Sequence, residues 1–391
     1  MSRSLISSYR EKPLRLVAGV MSGTSLDGVD VAFVEISGSG DALRHRLAGY
    51  HEVPYPTELK QRILAASSGE MGVRSLFELD ADLGGVYADA IHSAASHAGI
   101  DVADIDAIGL HGQTVYHAPR RPPHGLSVQI GSAAIVAGRL RTIVVNDFRS
   151  ADVAAGGEGA PLVPYCDFAL LRSAELNRVA LNIGGIANIT WLPRDVDAAR
   201  LIAFDTGPGN MLIDAAMREL RGMNYDRGGE LAMAGTPDAR WLEKLLADDY
   251  YAAAPPKSAG REQFGEDVGR EMARHGRVTG LADADIIATL TLLTARTIAR
   301  GIRDHATGGE QVDEIIVGGG GARNITLMRM LADEMPGTAV APADAFGLPA
   351  DAKEAICFAI LANETLNEVP ANVPSVTGAS RPVICGAIRL P

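Results

Sequence analysis

The segment Phe204-Asp205-Thr206-Gly207-Pro208-Gly209-Asn210 places a carboxylate where an apolar run gives way to glycines and a helical pattern. Active-site groups of α/β sheets sit at such strand ends, so Asp205 is a candidate general base. A turn or helix-cap carboxylate is the competing reading. Gly23-Thr24-Ser25-Leu26-Asp27-Gly28 offers a different chemistry. Small residues let backbone N–H groups and two hydroxyls approach a phosphate closely, and Asp27 can organise a hydrated magnesium ion. A plain hairpin turn selects the same residue types.

The pattern around that turn recurs. LRLVAGVMSG followed by DGVDVAFVEI reads as strand, glycine turn, strand, and RVALNIGGIANITWLP from Arg178 reads the same way. This points to an internal duplication in which Gly184 and Gly185 repeat the first turn. In a pseudo-symmetric fold the two turns are expected to face one cleft and clamp a polyphosphate. A third glycine element, Gly318-Gly319-Gly320-Gly321, follows the strand-like EIIV and opens into a helix. Backbone without side chains can lie flat against an adenine or ribose. The run matches neither GxGxxG nor a loop ending in GK[ST], which argues against a P-loop fold.

Sugar recognition needs partners for hydroxyls and an amide. His111-Gly112-Gln113-Thr114-Val115-Tyr116-His117 supplies donors and acceptors at a strand end, with His111, Gln113 and Thr114 as the candidates, joined by Asn146 and by Asn188 from the second turn. The two histidines of this segment lack the acidic ligand set of a zinc site. Arg149, in Asn146-Asp147-Phe148-Arg149, can grip a sugar carboxylate with two parallel N–H bonds, or simply make a surface ion pair. Glu354 sits early in a helix, where a carboxylate complements the helix dipole.

The elements that must hold these residues alternate between period two and period 3.6. After the first hairpin, Leu59, Ile63 and Leu64 and then Leu76, Leu79, Leu83, Val86 and Ile91 give helical spacing over 56–99. Strands are expected at 107–110, 126–130 and 142–146, with an Ala-rich helix ending at Leu140. The second copy continues through a strand at 201–205, a helix at 209–220, a polar stretch holding Pro255 and Pro256, and a long helix at 284–303. A strand at 314–317, helices at 324–334 and 351–365, and a last strand at 382–388 complete the chain.

Composition agrees with a two-domain α/β protein. The chain has 391 residues, more than one core usually supports, with 47% hydrophobic residues, 5% aromatic and 43 glycines. Cys166, Cys357 and Cys385 have no CxxC spacing and read as buried thiols. A formal charge of −12 without a basic cluster excludes nucleic acid and anionic lipid as partners, because neither counterion release nor surface attraction can operate. No apolar run reaches the roughly 20 residues of a membrane helix, and residues 1–13 lack a secretory h-region, so a cytoplasmic location is expected.

Taken together, VMSGTSLDGVDVAFVEI, LHGQTVYH, NDFR, NIGGIANIT, FDTGPGN and VGGGGARN, in this order from residue 14 to the end, resemble the anhydro-N-acetylmuramic acid kinase family. The resemblance implies an actin- and hexokinase-type fold of two ribonuclease H-like domains with a cleft between them: 14–145, completed by 376–391, and 146–375. It implies a Mg-ATP site spanning Gly23 to Asp30, Val29 included, together with Gly318 to Gly321. Asp205 would be the general base, and Glu354 would assist near the attacking water. The implied reaction converts 1,6-anhydro-N-acetylmuramic acid, ATP and water into N-acetylmuramic acid 6-phosphate and ADP, in a cytoplasmic homodimer serving peptidoglycan recycling. An ordinary hexose or amino-sugar kinase and a non-enzymatic sugar-sensing ATPase are the alternatives on the same fold. The stretch before Leu14 departs from the family pattern and is expected to be mobile.

Overall fold

The computed structural model describes residues 4–23 and 26–391. Its strands are β1 (Arg15–Ser22), β2 (Gly28–Ser37), β3 (Arg44–Pro54), β4 (Ala107–Ala118), β5 (Leu126–Ile130), β6 (Ile143–Asn146), β7 (Arg178–Ile183), β8 (Ile186–Leu192), β9 (Ile202–Pro208), β10 (Glu314–Gly318), β11 (Ala339–Pro342) and β12 (Ala387–Arg389). They form two sheets, in the orders β12-β6-β4-β1-β2-β3, with β5 added to β4, and β11-β10-β7-β8-β9.

The two sheets repeat one plan. In each, three antiparallel strands (β1, β2, β3 and β7, β8, β9) are followed by two strands parallel to the first (β4, β6 and β10, β11). This is the ribonuclease H-like arrangement, present twice, and the protein has the actin- and hexokinase-type α/β fold. The central strands are buried on both faces, which is why LRLVAGV and EIIV read as continuous apolar runs rather than alternating ones.

The chain divides into two compact units, Met1–Leu170 with Asp351–Pro391, and Leu171–Ala350. The first therefore takes in residues 146–170 and 351–375, which the motif order assigns to the second. The cause is the helix Lys353–Leu366, which lies directly on β1 and β4. A Cβ at Gly19 would come within 1.8 Å of the Ala355 carbonyl oxygen, and one at Gly109 within 2.0 Å of the Phe358 oxygen. Every residue of that helix but Glu354 is buried, and burying each large apolar side chain is worth about 1.5–3 kcal/mol. In this unit the other face of the sheet packs Phe33, Leu79, Leu83, Tyr87 and Ile91, the last four from the helix Val73–Ala98.

The stretch before β1 corrects an expectation. Leu5–Glu11 is a helix capped by Ser4, and Tyr9 is buried, its hydroxyl donating to Asn363 Oδ1 at 2.8 Å. Arg15 donates to the same oxygen at 3.0 Å and to the Tyr9 carbonyl at 3.1 Å. One buried aromatic and a shared acceptor are enough to dock seven residues whose sequence shows little periodicity. Residues 1–3 of that stretch lie outside the described residues. In the second unit the helix Asp283–Gly301 supports both a core with β7, β8 and β10 and a second cluster around Leu212, Trp241 and Ile286. The three cysteines are free and buried, and no helix among the described residues is long and apolar enough to cross a membrane.

Candidate active site

The candidate residues fall into two groups, one in each unit. In the first unit, β1, β4 and β6 run parallel, with Val20 beside Leu110 and Leu110 beside Asn146. β1 and β6 end at this level while β4 runs on past it, which brings Gly23, His111, Gln113, Asn146 and Arg149 together. Gln113 Nε2 donates to the Gly23 carbonyl at 3.2 Å, and Ser22 Oγ donates to the Gly112 carbonyl at 3.0 Å. Arg149 donates to His111 Nε2 from Nε at 3.2 Å and from Nη2 at 2.9 Å, and from Nη1 to the Gly159 carbonyl at 2.8 Å. One N–H on each terminal nitrogen of the guanidinium remains for a ligand.

That clamp makes His111 a neutral acceptor. Burial, reinforced by the Arg149 charge, pushes its imidazole down to about 3. The ring sits against Phe358, their centroids 4.6 Å apart. Its Nδ1 is buried without a hydrogen-bond partner, and so are Gln113 Oε1, Asn146 Oδ1 and Gln129 Oε1. Gln129 belongs to the same end, since its Nε2 donates to Thr114 Oγ1 at 3.2 Å from the paired strand β5. Each unpaired buried polar atom costs about 1–3 kcal/mol. Four of them on neighbouring strands are what a polar ligand rich in hydroxyl and amide groups would satisfy.

Across the turn, Asp27 is exposed and its carbonyl accepts from the Tyr55 amide at 3.0 Å. Gly28 lies against β3, where a Cβ would meet the Val53 oxygen at 2.3 Å. Leu26 holds a left-handed backbone, φ 60°, and the Val29 side chain is wholly buried, so only its backbone can meet a nucleotide. Thr24 and Ser25 lie outside the described residues. Asp30 accepts a hydrogen bond from the Tyr50 hydroxyl at 2.5 Å. Its carboxyl is pushed up to about 6, chiefly by burial, with the charges of Glu52, Glu354 and Asp351 adding to the rise. Glu354 keeps an open path to solvent yet is ringed densely by protein, and that desolvation raises its carboxyl against the downward pull of Arg149 and Lys353. Glu354 is thus electrostatically tied to both Arg149 and Asp30, residues far from it in sequence.

In the second unit, the pairing of β8 with β9 shifts register between Ala187 and Asn188, setting Asn188 opposite Asp205. Asp205 Oδ2 accepts from the Ala259 amide at 2.9 Å, and burial raises its carboxyl, an effect that this hydrogen bond opposes. The second glycine turn is locked by its own carbonyls. Gly184 accepts from the Asn210 amide at 2.8 Å, and Gly185 accepts from Gly209 at 2.8 Å and Met211 at 3.1 Å. The turn and the start of the helix Met211–Arg221 are therefore one rigid piece.

At the end of β10, Gly318 hands over to Gly319, whose φ is 78°. A Cβ on Gly319 would stand 2.6 Å from the Ile183 oxygen, so the position has room for no side chain. Gly320 and Gly321 begin a 3-10 turn that passes to the helix Ile325–Glu334, capped by Asn324 accepting from the Leu327 amide at 2.9 Å. Gly320 lines a cavity of about 320 Å³ with Asn210, Asp214, Tyr225, Asp226 and Arg323. Asp214 is pushed up to about 6 by burial. Tyr50, Gln129, Asp214, Tyr250, Lys257 and Ala259 carry no signal in the sequence motifs. Only the polar stretch around Pro255 and Pro256 hints at the last three.

The family model described as anhydro-N-acetylmuramic acid kinase matches residues 15–391. A protein of that name from Salinibacter ruber is 42% identical over 99% of this chain and 99% of its own length. Another, from Caldanaerobacter subterraneus subsp. tengcongensis, is 40% identical over 97% of this chain and 98% of its own. Among solved structures, component A of the Acidaminococcus fermentans (R)-2-hydroxyglutaryl-CoA dehydratase aligns with 90% of this chain and 99% of its own at a TM-score of 0.46 and 11% identity.

Proposed function

The chain belongs to the anhydro-N-acetylmuramic acid kinase family, and on that premise we propose which of its residues perform the reaction. The protein is an ATP-dependent kinase that hydrolytically opens the 1,6-anhydro ring of anhydro-N-acetylmuramic acid and phosphorylates O6, giving N-acetylmuramic acid 6-phosphate and ADP in peptidoglycan recycling. Asp205 takes a proton from a water whose oxygen bonds to C1. The C1–O6 bond breaks, and O6 attacks the γ-phosphorus as the bond to the departing ADP breaks.

The observation that carries the assignment of the base is its setting. Asp205 has one oxygen held by a backbone amide and a carboxyl raised by burial, so it is both aimed and more basic than an ordinary aspartate. Asn188, opposite it across the strand pair, is positioned to share the sugar or the water. In the other unit, His111, Gln113, Thr114, Asn146 and Arg149 bind the sugar, Arg149 through its carboxylate. Glu354 supports the attacking water.

ATP is held by Gly23 to Asp30, by Gly184 and Gly185, and by Gly318 to Gly321, with its adenosine against the cavity at Gly320. Magnesium fits the exposed carboxylate of Asp27, because such an ion keeps several waters and phosphate oxygens and needs few protein ligands. When bound it neutralises charge on the phosphoryl oxygens. We place the enzyme in the cytoplasm as a homodimer, acting on small molecules rather than on nucleic acid or membranes.

Asp205→Asn tests the assignment. General-base catalysis is worth about 10² to 10⁴ in rate. The variant should fold with an unchanged circular dichroism spectrum and lose turnover by at least that lower factor; an active Asp205→Asn enzyme would mean that another group is the base.

A further inference from the structure

Asp205 is held by one segment of chain. The Tyr250 hydroxyl donates to the Asp205 carbonyl at 2.7 Å, the Asp205 amide donates to the Lys257 carbonyl at 3.3 Å, and the Ala259 amide donates to Asp205 Oδ2 at 2.9 Å. Backbone donor, backbone acceptor and carboxylate of the same residue are all engaged by the short stretch from Tyr250 to Ala259.

The segment is itself braced. Lys257 Nζ donates back to the Tyr250 carbonyl at 3.1 Å and the Tyr251 carbonyl at 3.4 Å, closing 250–257 into a loop. It also lies over the Tyr250 and Phe204 rings, 4.8 and 5.6 Å from their centroids. Phe264 anchors both tyrosines, at 5.5 Å from Tyr250 and stacked at 6.0 Å on Tyr251. On β9, Gly207 has φ 144°, and a Cβ there would stand 2.9 Å from the Tyr251 ring, so the glycine beside the base is what admits the loop.

We propose that Tyr250 and Lys257 are positioning residues for the reaction: they close the segment 250–259 as a strap that presents the Ala259 amide to Asp205 and so sets both the aim and the basicity of its carboxylate. The inference rests on Asp205 being the base. A misplacement of about 1 Å at a reacting group can cost on the order of 10²-fold in rate. Because the Ala259 hydrogen bond favours the charged carboxylate, loosening the strap must raise the carboxyl and carry the acidic limb of the rate profile to higher pH.

The test compares Tyr250→Phe, Lys257→Met and Lys257→Arg with the parent enzyme, measuring kcat, both KM values and the pH dependence of kcat/KM. Tyr250→Phe removes one oxygen and keeps the ring packing, so folding is retained. Tyr250→Phe and Lys257→Met should lower kcat about tenfold to 10²-fold, leave both KM values within about twofold, and shift the acidic limb upward. Lys257→Arg, which keeps a cationic donor, should restore most of the rate. Wild-type kcat in the first two variants, or reduced kcat with an unmoved acidic limb, overturns the strap while Asp205→Asn remains inactive. Activity in Asp205→Asn instead removes the base assignment on which the strap depends.

Discussion

At the scale of single residues, the site is built on shared acceptors and suppressed charges. His111 is useful because it is neutral: with its imidazole pushed down to about 3, Nε2 can accept two N–H bonds from Arg149 and hold the guanidinium in place. Lysine cannot reproduce that fork. Arg149→Lys is therefore expected to raise KM for the sugar by at least about tenfold while changing KM for ATP little, and steady-state kinetics with each substrate varied in turn checks it. The pH profile should show no limb from His111 around neutrality, because the folded ring stays unprotonated there. In the unfolded chain its pKa returns to about 6.5, so as pH falls from that value toward about 3 the unfolded state binds a proton that the folded state refuses, and His111 withdraws stability over that window.

At the scale of elements, the parallel strands do the assembling, and they show what a sequence reveals. Asp205, Gly184 and Gly318 to Gly321 are legible because strand ends and glycine turns leave local signatures. The duplicated hairpins are legible because the second copy repeats the first, and the matching strand orders bear this out. β3 and β11 escape a reading by pattern, since RHRLAGYHEVP and AVAP carry weak alternation and take their form from pairing with β2 and β10. β4 runs on to Ala118 where the sequence suggests an end at 110, because pairing with β5 extends it. The electrostatic ties of Glu354 to Arg149 and Asp30 are long-range and have no local trace. Gly19 reads as an ordinary glycine in a strand, yet it is where the helix Lys353–Leu366 touches the sheet. Gly19→Ala should destabilise the protein by about 1–3 kcal/mol or more, since the obstructing atoms are backbone and cannot rotate away. Denaturant unfolding measures the loss, and an unchanged midpoint would show that the helix can lift without cost.

At the scale of the molecule, the candidate groups are divided between the two units. One holds the cluster at His111, Gln113, Asn146 and Arg149, to which we assign the sugar, and the other holds Asp205 and the glycines of β10. As a member of its family, the chain joins ring hydrolysis to phosphoryl transfer, rather than phosphorylating a hydroxyl already free. The decisive measurement incubates the enzyme with Mg-ATP in oxygen-18 water and, in parallel, 1,6-anhydro-N-acetylmuramic acid, N-acetylmuramic acid and N-acetylglucosamine, following ADP release and the mass of each product. Turnover of the anhydro sugar alone, with one heavy oxygen at C1 and one phosphate at O6 in the product, is the predicted result. Preference for an unbridged sugar, or a phosphorylated product without the label, would contradict it.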